Sequence, residues 1–178
     1  MKPRDDRLER FEAVVRVDAQ PQDKKFQGVW LERGDGEKWV VAYRPEGWLR
    51  GFEGKRVSVA GERYEPQGQA IMATHFRVHT IRVLDERAVD APFFVEVGPE
   101  RKMAGRFVER VGEKGTKLEG EKYTVFEADD GVAYGLANAV EATAGVRVRV
   151  RARPVVVSPF VARRGGPSLW ILDVAPAG

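Results

Sequence analysis

The chain contains no cysteine, which removes a disulfide framework and a thiolate metal site at once. Histidine is nearly as scarce, with only His75 and His79. Their spacing would suit two ligands on one helix face. Their segment reads as a strand, however, and there the side chains stand roughly 13 Å apart at about 3.3 Å per residue. No metal site is expected. No apolar run reaches the roughly 20 residues that a membrane-crossing helix needs. The charged start, MKPRDDRLERFEAVVRV, lacks the apolar stretch of a secretory signal.

Charge of one sign is also missing. The 30 basic and 27 acidic residues leave +3. Through Asp90 there are 17 basic and 16 acidic residues, and after it 13 and 11. This is not a polycation that holds nucleic acid by bulk charge, so any patch must be local. No Ser-His-Asp set and no phosphate-cradling glycine loop is suggested. Asp129 and Asp130 read as turn formers. The expectation is a non-catalytic, cytoplasmic protein without cofactors and with no membrane contact. Arg outnumbers Lys by 21 to 9, a composition expected of a GC-rich bacterial genome.

Strands separated by turn signals are what the chain does contain. Of its 178 residues, 43% are apolar, enough for a real core. Phe11 to Val17 is the first strand, followed by a polar loop from Asp18 to Lys25. Gly28 to Tyr43 is a hairpin about Gly34-Asp35-Gly36. Arg44 to Glu53 is a connector with one helical turn near Trp48. Arg56 to Ala60 is a strand ending at Gly61, a bend or bulge. Ile71 to Leu84 resumes β structure with a slip in parity between Val78 and Ile81. The plan then repeats about ninety residues later. Strand AGRFVERV, a hairpin about Asp129-Asp130-Gly131, a short helix at Asn138 to Thr143, an alternating strand from Gly145 to Arg153 and a closing strand at Leu169 to Val174 follow in order. Asp35-Gly36 matches Asp130-Gly131, Gly54 matches Gly145, and Val83 matches Val174.

This order, with a helix or connector between the third and fourth strands and the glycine-flanked segment GKRVSVAG at Gly54 to Gly61, resembles the OB-fold. The expected fold is therefore all-β: two tandem five-stranded OB-like Greek-key barrels. A charged arm would cover 1–10, the first barrel 11–84, a linker 85–102 and the second barrel 103–174. The resemblance implies a binding module, often for single-stranded nucleic acid on strands two and three.

Two features are candidate sites. With Asp35 and Gly36 as a two-residue turn, Val29, Leu31, Val40 and Ala42 share one hairpin face. Trp30, Trp39 and Tyr43 share the other. That aromatic face is a base-stacking platform if exposed; otherwise it packs on the second barrel or the N-terminal arm, or is itself the core. The same turn length in the second hairpin puts Tyr123, Val125, Tyr134 and Leu136 in the core. The second feature is an arginine comb. Arg147, Arg149, Arg151 and Arg153 alternate with Val146, Val148, Val150 and Ala152, and Arg163 and Arg164 follow. No acid occurs between Ala142 and Leu172. Either phosphates answer these cations, or carboxylates such as Glu119, Glu121 and Glu127 do. Single-stranded nucleic acid is the first expected partner and another protein the second.

Overall fold

The computed structural model describes residues 8–17, 28–44, 46–85 and 93–178. Most of the charged arm, the loop from Asp18 to Lys25 and part of the linker lie outside them. The described residues are nearly all β, with 56% of them in strands and 3% in helix. The strands are β1 (Glu9–Val17), β2 (Val29–Arg33), β3 (Lys38–Ala42), β4 (Arg56–Tyr64), β5 (His75–Val83), β6 (Phe94–Val97), β7 (Arg101–Val111), β8 (Lys122–Ala128), β9 (Ala133–Leu136), β10 (Arg147–Val157) and β11 (Ser168–Pro176). One short helix, α1 (Gly47–Arg50), precedes β4.

The chain falls into two units, Met1–Glu96 and Val97–Gly178. In the first, β1 pairs with β2, β2 with β3, β3 with β5, β5 with β4, and β4 back with β1. Only β3 and β5 run parallel in that circuit. The second unit has the same circuit: β7 with β8, β8 with β9, β9 parallel to β11, β11 with β10, and β10 with β7.

Individual hydrogen bonds repeat as well. The Gly54 amide donates to the Val15 carbonyl at 2.8 Å, and the Gly145 amide to Phe107 at 2.8 Å. The Val40 amide donates to Thr74, and the Gly135 amide to Pro167. Gly54 and Gly145 have φ of +73° and +78°, a region that side chains with a Cβ avoid. Glycine at both places is what allows the turn into the fourth strand.

Both hairpins depart from the expected two-residue turn, for one reason. The Gly36 amide donates to Arg33, and the Arg33 amide to Glu37. Gly36 has φ of +84°. The result is a three-residue loop, a tight turn closed by a left-handed glycine bulge. Asp35 Oδ1 accepts from the Glu37 amide at 2.9 Å, and Asp130 Oδ1 from the Val132 amide at 3.0 Å. Side-chain acceptance of this kind favours Asp in such turns. The odd length moves the register by one, and side chains change face. Leu31 pairs with Trp39 and Trp30 with Val40. Phe126 pairs with Tyr134 and Val125 with Gly135.

Further corrections concern the connectors and the last strand. Asn138 to Thr143 is not a helix. The Asn138 side chain instead bonds the Ile171 backbone twice, and a lone helical turn has little to nucleate it. Val83 lies opposite Val57, whereas Pro176, not Val174, lies opposite Val148. Two more residues separate the last paired positions Val155 and Ser168 than separate Tyr64 and His75, and this displaces the match. The slip between Val78 and Ile81 is a bulge: Ala60 pairs with Thr80 but Gly61 with Val78. A Cβ on Gly61 would lie 2.0 Å from the Arg77 carbonyl oxygen, so only glycine fits. Val57, Val59, Val148 and Val150 are buried, as strand alternation requires.

Candidate nucleic-acid interface

The alternation in β10 places its valines in the core of the second unit and sends Arg147, Arg149 and Arg151 outward. What stands beside each arginine is set by register. On β7, Arg147 meets Arg106, Arg149 meets Ala104, and Arg151 meets Lys102. On β11, Arg149 meets Ala175 and Arg151 meets Asp173. Arg149 therefore lies between two alanines. A groove of about 360 Å3 follows it, walled by Lys102, Arg151 and Asp173 and floored by Met103 and Val150.

Carboxylates answer part of the comb. Arg147 bonds Asp129 at 2.5 Å, and Arg151 approaches Glu100 at 3.5 Å. Arg163 pairs with Glu121 at 2.7 Å. Glu127 instead takes Arg110, and Glu119 accepts from the Gly115 amide. Among the described residues, Arg149 reaches only the Pro176 carbonyl, at 3.4 Å. It has no carboxylate partner among the described residues. Arg153 turns inward and donates to the Gly98 carbonyl at 3.0 Å. Arg164 lies over the Tyr123 ring, with Nη1 buried against Gly135. The comb thus divides. Arg149 and Arg151 line one groove with Lys102, and Arg147 and Arg106 pair beside it on the same two strands, while Arg153, Arg163 and Arg164 serve the fold elsewhere in the unit.

The bond from Arg147 holds the Asp129 carboxyl below its usual range, and the same bond raises the Arg147 guanidinium. The sign follows from linkage. With its native value depressed, the Asp129 carboxylate supports the fold at neutral pH, and that support is lost as pH falls through the depressed value. An NMR titration should find the Asp129 midpoint low in the wild type and closer to an ordinary aspartate in Arg147→Ala. Equal midpoints would mean that the bond is absent in solution.

The aromatic face is not a continuous exposed platform. Trp39 is 2% exposed and packs in the core with Phe11 and Phe76, at 4.9 and 5.6 Å between ring centres. The guanidinium groups of Arg33 and Arg63 cover its ring at 4.3 and 4.6 Å, a cation–π arrangement. Arg63 is itself held by Glu9 at 2.7 Å. Trp30 is half-buried on the opposite face of β2, where Arg16 is its cross-strand neighbour. Tyr43 is half-buried and hydrogen-bonded to His75 at 2.5 Å. The three aromatics do not meet at one surface, because the three-residue loop turned Trp39 inward.

Sequence pattern alone does not single out Lys102 and Arg106. Their neighbourhood in RKMAGR is plain to read, but the strand that they flank is decided by pairing. What fold and site together define is an all-β protein of two like-paired units, one carrying a cationic strand face. No family model, curated protein or solved structure matches the chain.

Proposed function

We propose that the chain is a non-catalytic binding protein built of two tandem OB-like barrels, and that its second barrel holds single-stranded nucleic acid by its phosphates. The observation that carries the reading is Arg149, exposed between Ala104 and Ala175 with no carboxylate partner among the described residues. Cations stand on both sides of it. Alternate residues of a strand lie about 6.6 Å apart on one face, so Arg147, Arg149 and Arg151 form a short ladder along which an extended phosphate backbone can lie. The repeated circuit of five strands, with the third and fifth parallel, supports the OB-like part. Phosphate binding explains affinity without a large net charge, since counterion release depends on local neutralisation. Stacking has a smaller part than an open aromatic face would give it, with Trp30 the remaining candidate.

A titration with mixed-sequence single-stranded oligonucleotides tests this directly. Replacing Arg147, Arg149 and Arg151 with Ala should weaken binding to all sequences. The log–log salt slope should flatten by about 0.7 for each phosphate that the variant no longer neutralises. No binding by the wild type at low salt, where attraction is least screened, would sink the reading. The protein-interaction reading would then lead. It is favoured by the exposed Val156, Phe160 and Val161 on and just beyond β10, with Phe160 55% exposed.

A further inference from the structure

We propose that His75 is a proton-operated latch on the loop joining β4 to β5. His75 is 2% exposed, and both of its ring nitrogens are engaged. Nδ1 lies 2.9 Å from the Ala73 carbonyl oxygen, which only accepts, so Nδ1 carries the proton of the neutral ring. Nε2 is then the acceptor, and Tyr43 donates its hydroxyl to it at 2.5 Å. The Ile71 amide in turn donates to Tyr43 Oη at 3.1 Å. The chain of donors runs one way, from the loop through Tyr43 into the imidazole.

A second proton on the ring reverses one link. Nε2 becomes a donor and points at an oxygen that already receives the Ile71 amide. Tyr43 must turn its own proton elsewhere, and two N–H groups converge on one hydroxyl. The nearby cations and carboxylates are already paired with one another. The Tyr43 ring stacks on His75 and the Tyr64 ring of β4 meets it at 71°, while the Arg77 guanidinium of β5 lies over Tyr64 at 5.0 Å and is paired with Glu62 at 2.6 Å. Arg63 lines the adjoining groove of about 410 Å3, and Glu65 is its one acidic lining residue. Relief comes from widening the groove that His75 itself lines, by displacing Ile71 to Ala73 on its rim. The Val40 amide still holds Thr74, so the opening is confined to the segment that borders the groove with Met72.

The second unit supplies a control within the same molecule. Asn138 stands where Tyr43 does, counted from the hairpin turn, and it also ties the third strand to the fifth. It does so with an amide that donates to the Ile171 carbonyl at 2.9 Å and accepts from the Ile171 amide at 2.8 Å. An amide does not change charge with pH, so this tie is not proton-sensitive.

Amide exchange followed by NMR between about pH 8 and pH 5, where an imidazole changes charge, is the test. Rates are referred to the intrinsic rate at each pH. Protection of the Ile71 amide should fall by at least about tenfold while that of Ile171 holds. His75→Gln should remove the pH dependence at Ile71. Tyr43→Phe should leave that amide unprotected throughout, so it decides the matter if the histidine variant does not fold. Constant protection of Ile71 while the His75 resonances titrate would overturn the latch. So would equal loss at Ile71 and Ile171, or a His75 ring that does not titrate before the fold melts.

Discussion

Trp39→Ala is expected to lose about 3–5 kcal/mol of stability, the range for truncating a large aromatic in a packed core. It should do so without flattening the salt dependence of oligonucleotide binding by the fraction that remains folded. The indole is buried between Phe11 and Phe76 and lies under two guanidinium groups. Removing it leaves a cavity and takes away the ring beneath Arg63 and one of the two rings beneath Arg33, which also lies over Phe11 at 4.8 Å. The glutamate holding Arg63 then restrains a cation with nothing beneath it. Denaturant unfolding should show a lower midpoint for the first unit. Native-like stability together with a binding loss of about 1–3 kcal/mol, the worth of a stacked base, would instead place Trp39 on a ligand face and contradict the packing.

Val150→Asp should have the larger effect, and Arg149→Asp, one residue away, a small effect on stability. Val150 is 2% exposed within the core cluster of Phe107, Phe126, Leu169 and Ile171. A carboxylate there has no partner and must either ionise in an apolar site or take up a proton, at a cost of several kcal/mol. That is a large part of the stability of an ordinary domain, so the second unit should lose its cooperative melting transition. Arg149 lies on the outer face of the same strand, and its replacement exchanges one solvated charge for another. It should leave the fold in place while reversing the charge at the centre of the groove, so oligonucleotide binding should drop. If both variants melt alike, β10 does not alternate between core and solvent. If neither melts, the valines do not form the core.

These two predictions mark where the sequence could and could not be read. Strand content, the repeat, the alternation in β10 and the glycines before the fourth strands were legible, because each depends on local chemistry. A period of two places valine and arginine on opposite faces wherever the strand lies. A left-handed backbone calls for glycine whatever surrounds it. The slip around His79 was visible for the same reason, as a break in that period.

Tertiary structure decided the rest. Gly34-Asp35-Gly36 can close a two-residue or a three-residue loop, and one residue of difference sends Trp39 to the core instead of the surface. The choice rests on which register packs Leu31, Trp39, Phe11 and Phe76 together, and those residues come from separate strands. The fate of the comb was equally non-local. Whether an arginine is answered depends on Asp129 at a hairpin turn and Glu100 just before β7, and Arg149 is left open because alanines of β7 and β11 fall beside it. The sequence by itself determined which residues point outward from β10, since side-chain direction follows from backbone geometry. Only the pairing of distant strands decided what stands beside each of them, because register is set by burial of the whole core.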